Sequence, residues 1–339
     1  MHPPQMPYPL GKLPAEHLAR LLTRYAPSDE RVILGPGVGR DAAVISFGDR
    51  YLVAKTDPIT FASDEIGWYA VHINANDVAC TGAAVRWFLA TLLLPEAHTD
   101  AALVDTIFDQ IAGACAELGV GLVGGHTEIT YGIDRPIVIG CMLGEVPPEQ
   151  LVRPDEARPG DVLLVTKGIA VEGTAVIARE KVDGLSGLSE SFLARCQDFL
   201  YNPGISVVRD AAIATDVGKV HAMHDPTEGG LATGLWELAE AAQVGLEVDE
   251  SAIPILPETR TLCERLGLDP LGLIASGTLL LTVAPGDVTA ILSALGEAGI
   301  AAARIGHVVE REPNVVLRCA TGERLLPRFE RDEIARLFE

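Results

Sequence analysis

Between Ser63 and Pro95 a helical apolar period runs directly into an apolar strand, and a single carboxylate interrupts it. Ile66, Tyr69, Ala70 and Ile73 recur at i, i+3, i+4 and i+7, so the spacing predicts an amphipathic helix over residues 64–80. Ser63 or Asp64 is placed to cap its start, and Asp64 and Glu65 suit the positive end of its dipole. Asp77 is the anomaly. At about 100° per residue it falls within roughly 20° of the apolar stripe. A carboxylate on a buried stripe needs a cation, a cap or water, or it takes up a proton. A hydrogen bond to neighbouring backbone is the plain alternative. Asn74 and Asn76 add polar groups around it. Gly82 then ends the helix, and Val85 to Leu94 reads as a buried strand stopped by Pro95.

Two of the segments before this stretch end on an acidic residue, Asp41 and Asp57. An arm around residues 7–13 precedes a helix, Ala15 to Tyr25, opened by Pro14, with Leu18, Leu21 and Leu22 on one face. Gly35-Pro-Gly-Val-Gly-Arg-Asp41 leads into a short strand, Ala42 to Phe47. No Lys-Ser/Thr follows those glycines, so this is not a phosphate loop of the Walker kind. Tyr51 to Asp57 is a second strand ending before Pro58.

After Pro95 a helix is predicted from about Thr99 to Leu118. A strand, Val120 to Val123, then stops at Gly124-Gly125-His126-Thr127-Glu128. Glycines there either let backbone approach a ligand closely or make a tight turn. His126 reads as a metal ligand, a phosphate donor or a satisfied loop histidine. Arg135 to Glu145 is a strand. The Pro-rich run from Val146 to Pro154, with Pro159-Gly160, marks the domain boundary, giving domains of residues 1–153 and 154–339.

The second half alternates strand and helix: strand Asp161 to Thr166, helix Val171 to Glu180, a mobile loop 181–191, a helix around Ser206 to Thr215, and strand Lys219 to Met223. In His224-Asp-Pro-Thr-Glu-Gly-Gly-Leu231, Asp225, Pro226 and Glu228 form a capping box for a helix reaching Ala242. Gly229 and Gly230 cost roughly 1 kcal/mol each inside a helix, and side-chain-free backbone at a helix start suits an anionic group. Strands 245–248, 278–283, 303–309 and 314–318 alternate with helices 257–266 and 286–296. An α/β sandwich in each half is the expected fold class.

Composition narrows the function. The 339 residues suggest about two domains. A net charge of −21 repels nucleic acid and anionic membrane, and it admits a polyphosphate only with accompanying metal ions. No apolar run approaches the roughly 18 residues of a spanning helix, and no signal peptide is visible. Six scattered cysteines without Cys-x-x-Cys argue for a reducing, cytoplasmic setting and against a thiolate zinc site. Asp41, Asp57 and Asp77, with Asp225 from the second half, suggest carboxylates converging on Mg²⁺ and substrate phosphates, and hence phosphoryl transfer. Cys80 lies beside this cluster and reads as packing.

Five motifs in order, Gly-Arg-Asp-Ala-Ala-Val, Lys-Thr-Asp, Ile-Asn-Ala-Asn-Asp-Val-Ala-x-x-Gly-Ala, Gly-Val-x-Leu-Val-Gly-Gly-His-Thr and Ala-Met-His-Asp-Pro-Thr-Glu-Gly-Gly-Leu, cover about residues 30–310. They resemble the aminoimidazole ribonucleotide synthetase (PurM-like) superfamily, which includes thiamine-monophosphate kinase, selenophosphate synthetase and the hydrogenase maturation factor HypE. The second-half motif is most similar to HypE. The resemblance implies a two-domain PurM-like protomer whose first-domain sheets pair into a dimeric β-barrel, with a C-terminal α/β sandwich. It implies an ATP- and Mg²⁺-dependent enzyme that phosphorylates an amide- or carbonyl-type oxygen of a small substrate. By motif, Asp41, Asp57, Asp77 and Asp225 hold Mg²⁺, and Lys55, Thr56, Gly124, Gly125, Thr127, Gly229 and Gly230 border the nucleotide. Asp77, His126 and Asp225 are the catalytic candidates. A small-molecule kinase resembling thiamine-monophosphate kinase, and a non-catalytic nucleotide-binding scaffold, are the alternatives.

Three departures stand out. Arg40 replaces an Asp common before Ala-Ala-Val. His126 replaces an acidic residue common in that glycine motif. The last cysteine, Cys319, lies in an expected strand, so the HypE reaction on a terminal cysteine is not expected.

Overall fold

The computed structural model describes the chain except residues 1–7, 9–12, 14, 26–28, 38, 61, 182–184, 311–314 and 339. Pro14, most of the amino-terminal arm, the start of the 181–191 loop and residue 314 of the predicted 314–318 strand lie outside the described residues.

The first half forms a six-stranded sheet in the order β1-β2-β3-β6-β4-β5. Helix α1 (Ala15–Arg24) precedes β1 (Val32–Leu34), β2 (Ala43–Phe47) and β3 (Arg50–Ile59). Helix α2 (Ile66–Ala79) leads to β4 (Ala84–Pro95), and α3 (Ala101–Leu118) to β5 (Gly121–Thr130) and β6 (Ile137–Val146). Only β4 and β5 pair in parallel, because α3 carries the chain back between them. Helix α2 lies across β3, β6 and β4, and α3 packs on α2 and β5. Among the described residues the other face of the sheet carries no helix, which is why β4 and β6 alternate between buried and more exposed residues.

The predicted amphipathic α2 is instead buried on nearly every side, with Trp68 alone half-exposed. Its inner face meets the sheet and its outer face meets the second half, so no face is left for water. Its expected caps are used elsewhere. Glu65 is the left-handed cap residue and makes no side-chain capping bond, Arg179 donates to Asp64, and Ser63 donates to Glu180.

The second half forms a seven-stranded sheet ordered β13-β12-β9-β11-β7-β10-β8. Its elements are β7 (Val162–Thr166), α4 (Val171–Glu180), α5 (Glu190–Asp198), α6 (Val208–Val217), β8 (Val220–His224), α7 (Gly230–Ala242), β9 (Gly245–Asp249), α8 (Pro257–Leu266), β10 (Leu280–Val283), α9 (Val288–Glu297), β11 (Ala302–Val309), β12 (Val315–Cys319) and β13 (Gly322–Leu325). Every residue of β7 is buried. Leu163 and Val165 join the core beneath α7, while Val162 and Leu164 join the core beneath α6 and α9. Helix α5, capped by Ser189, and strand β13 have no counterpart in the sequence prediction.

The halves share one core. Val176 and Ile177 of α4 and Leu262 of α8 pack with Tyr69 and Ile66 of α2. Asn76 fastens the seam: its amide donates to Ile205 O at 2.8 Å, and its carbonyl accepts from Val207 N at 2.8 Å.

Candidate active site

The strand β3 alternates its faces, so Lys55 and Asp57 both point toward α2. Lys55 Nζ lies 3.0 Å from Asp77 Oδ2 and 3.3 Å from Asp57 Oδ2. Asn74, one turn before Asp77, holds this end of the strand: Asp57 N donates to Asn74 Oδ1 at 2.8 Å, and Asn74 Nδ2 donates to Ala70 O at 2.8 Å. Asp77 is 4% exposed. Burial pushes its carboxyl well above the usual range, Lys55 pulls it down, and Asp225, Asp41 and Asp57 push it up again. Burial works against the Lys55 charge, yet the carboxylates of Asp77, Asp57 and Asp41 outweigh it and raise the ammonium's pKa.

Asp225 reaches the same place from the end of β8 and is 1% exposed. Burial is the main reason its carboxyl is raised to about 7, with His224 acting the other way and Asp41 adding to the rise. The Cys80 thiol donates to Asp225 Oδ1 at 3.6 Å, and burial followed by the nearby carboxylates keeps that thiol protonated. Asp41 is tied to His224, whose Nδ1 is 3.2 Å from Asp41 Oδ2. Asp41, Asp57, Asp77 and Asp225 therefore gather around Lys55, from both halves of the chain. Among the described residues no three His, Cys, Asp or Glu side chains form a ready-made metal cage. The donor set nevertheless fits a hard cation that retains its waters. All candidate ligands are carboxylate oxygens, Asp225 Oδ2 has no hydrogen-bond partner, and Asp77 Oδ2 meets Lys55 as an ion pair without hydrogen-bond geometry.

Gly124-Gly125-His126-Thr127 lies within β5 rather than beyond a strand's end. Parallel pairing with β4 draws it in. A Cβ at Gly125, where φ is +150°, would sit 1.9 Å from Ala90 O, so only glycine permits that register. Asp57, Gly140, Ala90 and Gly125 form one row across the sheet. Three strand spacings place Gly125 about 14 Å from Asp57, within a nucleotide's reach. Gly124, Gly125, His126 and Thr127 together line a cavity of about 350 Å³ with Phe108, Ile111 and Leu122. His126 is not brought to the acidic cluster. It pairs with Thr91, on the opposite face from the buried Ala90 and Leu92, and its Nε2 lies 3.5 Å from Glu128 Oε2. Gly124 pairs with Leu89 on that same uncovered face, and Thr56 pairs with Cys141 there, donating its hydroxyl to Gly140 O at 2.7 Å.

The capping box at Asp225 does not form. Helix α7 begins at Gly230, with Gly229 as a left-handed cap residue, and Asp225, Pro226 and Glu228 precede it. Nor do the two glycines offer free donors. Gly229 N–H donates to Asp332 Oδ2 at 2.6 Å and Gly230 N–H to Thr227 O at 3.0 Å. The anion at this turn is the protein's own Asp332, which burial raises to about 6. Arg40, the residue in place of a common Asp, pairs with Asp155 at 3.6 Å. Sequence reasoning missed His224 and Glu237, which lie 2.9 Å apart. The available signal was a histidine directly before Asp225 at a strand's end.

The N-terminal domain of the AIR synthase related protein family matches residues 39–146, and its C-terminal domain matches residues 158–318. The carbamoyl dehydratase HypE of Rhizobium leguminosarum bv. viciae is 34% identical over 283 residues, covering 80% of this chain and 77% of that protein. The carbamoyl dehydratase HypE of Cupriavidus necator is 33% identical over 282 residues, with 80% and 77% covered. A crystal structure of the hydrogenase maturation protein HypE in complex with ATP superposes with a TM-score of 0.72 at 28% identity, covering 96% of this chain and 97% of that one.

Proposed function

The chain belongs to the AIR synthase related protein family, and from that membership we propose that it is an ATP- and Mg²⁺-dependent enzyme that phosphorylates an amide- or carbonyl-type oxygen of a small substrate. The observation that carries this reading is the convergence of Asp41, Asp57, Asp77 and Asp225 on one buried cation, Lys55, with Asp225 Oδ2 left without a hydrogen-bond partner. Kinship to HypE, one of whose structures holds ATP, supports the nucleotide.

Asp41, Asp57, Asp77 and Asp225 would hold Mg²⁺, which supplies neutralisation of the transferring phosphoryl charge. Lys55 offsets part of the cost of burying these carboxylates and holds Asp57 and Asp77 in place before a nucleotide arrives. Burial of Asp77 and Asp225 keeps bulk water from the reacting end, which strengthens every charge interaction there. His126 lines the cavity beside Gly125 and Thr127, away from the four aspartates.

The same reading includes a homodimer through the uncovered sheet face. Leu143, Trp87, Leu89 and Leu93 lie on it, and Trp87 is 40% exposed. Pairing two such faces removes that apolar area from water.

Isothermal titration with Mg-ATP tests the proposal. Binding is expected, and Asp77→Asn should weaken it at least tenfold. No binding in the presence of Mg²⁺ would overturn the enzyme reading and favour a scaffold. Release of ADP and phosphate against carbamoyl, amide and thiamine-type compounds would then separate the dehydratase from the kinase-like form.

A further inference from the structure

His224 is held between two carboxylates that belong to different halves of the chain. Its Nδ1 is 3.2 Å from Asp41 Oδ2, its Nε2 is 2.9 Å from Glu237 Oε2, and the residue is 7% exposed. A carboxylate only accepts, so both ring nitrogens donate, and the rigid ring fixes the separation of its two partners. Glu237 belongs to α7, so the anchor end of this bridge stands on a regular element of the second domain.

The two residues before Asp41 also touch that side. Gly39 has a φ of +70°, and a Cβ there would sit 3.1 Å from Glu237 O, so its backbone lies directly on α7. Arg40 lies 3.6 Å from Asp155, which Arg153 also binds at 2.9 Å in the segment joining the two sheets. Each residue of Gly39-Arg40-Asp41 is therefore docked on the second domain or on the connecting segment. In this chain Arg40 acts in docking rather than as a missing ligand.

We propose that Gly39-Arg40-Asp41 is an interdomain latch and that His224 is its positioning residue, holding the Asp41 carboxylate in register with Asp225 so that the two domains present one divalent-cation site. This rests on the Mg-ATP reading of the acidic cluster. His224 would touch neither metal nor nucleotide; it acts through Asp41, as outer hydrogen bonds orient ligating carboxylates elsewhere.

The test separates an effect on the metal from an effect on the fold. In His224→Gln, the Mg²⁺ concentration giving half-maximal ATP binding should rise about tenfold, while saturating Mg²⁺ restores the wild-type ATP affinity. In an Asp41→Asn background the same substitution should add little, because its target is gone. Glu237→Gln, which leaves the ring in place and removes only its anchor charge, should move the Mg²⁺ requirement in the same direction. A loss that saturating Mg²⁺ does not restore, or additive losses in the double variant, would overturn the proposal and leave His224 as packing. Wild-type protein that binds no Mg-ATP would instead sink the function reading. The latch would then be judged by melting temperatures of the His224→Gln and Asp41→Asn cycle, where additivity would overturn it and coupling support it.

Discussion

Lys55 and Asp77 form an ion pair of 3.0 Å in which both side chains are nearly closed off from water, at 12% and 5% side-chain exposure. Such a pair is costly to break from one side, because the survivor is left as a buried charge. Lys55→Met strands Asp77 and Asp57 together. The variant should lose about 3–5 kcal/mol of stability without metal. Millimolar Mg²⁺ should return part of that loss, since a ligand bound only by the folded state stabilises it. Melting curves with Mg²⁺ and with EDTA decide it, and a variant as stable as wild type in EDTA would contradict the pairing.

Asn76 closes the seam between the halves with two hydrogen bonds to backbone at Ile205 and Val207. Asn76→Leu keeps the volume but leaves a buried carbonyl and a buried N–H without partners. The expected cost is about 2–5 kcal/mol. Urea unfolding monitored by tryptophan fluorescence should show a lower midpoint, and an unchanged midpoint would mean that the seam is held elsewhere.

Glu172 at the start of α4 is 4% exposed, and its Oε2 has no hydrogen-bond partner. Burial raises its carboxyl from 4.5 to about 7, and the Ser276 hydroxyl beside it draws it down without meeting hydrogen-bond geometry. A carboxyl raised on folding holds its proton more tightly in the native state. Its contribution is present at low pH and is lost as pH rises through about 7. Glu172→Gln removes that loss. The stability difference between variant and wild type should widen from pH 5 to pH 8 in favour of the variant, by about 2–3 kcal/mol. Calorimetry at the two pH values reads it directly, and a gap that does not widen would refute the assignment.

The uncovered sheet face predicts its own result. Leu143 sits mid-strand on that face, opposite Ala54 and Trp87. Leu143→Asp should convert a dimer to a monomer in light scattering after gel filtration, with secondary structure intact by circular dichroism. A wild-type monomer at micromolar concentration would rule out the homodimer.

Much of the fold was readable because its signals are local. The period Ile66, Tyr69, Ala70 and Ile73 marked α2, Asp100 caps α3 by accepting from Leu103 N, and Gly119 and Gly267 close α3 and α8 in left-handed turns. What failed depended on residues far away in sequence. The Asp-Pro-Thr-Glu pattern looks like a helix cap, but Asp332, more than a hundred positions later, takes the Gly229 N–H, and the helix starts later. Gly124 and Gly125 look like a strand's end, but the register with Ala90 continues the strand through them. The convergence of four aspartates was legible from their positions at element edges. The face of each strand residue was not: Lys55 and Thr56 are neighbours in sequence, yet one meets Asp77 and the other points to the uncovered side.

Asp332 has one practical corollary. Its two oxygens hold the backbone of Gly229 and Ile334, so the final stretch of polypeptide is stitched to the turn that follows Asp225. Replacing Asp332 with Ala would leave the Gly229 N–H buried without its acceptor and loosen the turn that carries Asp225.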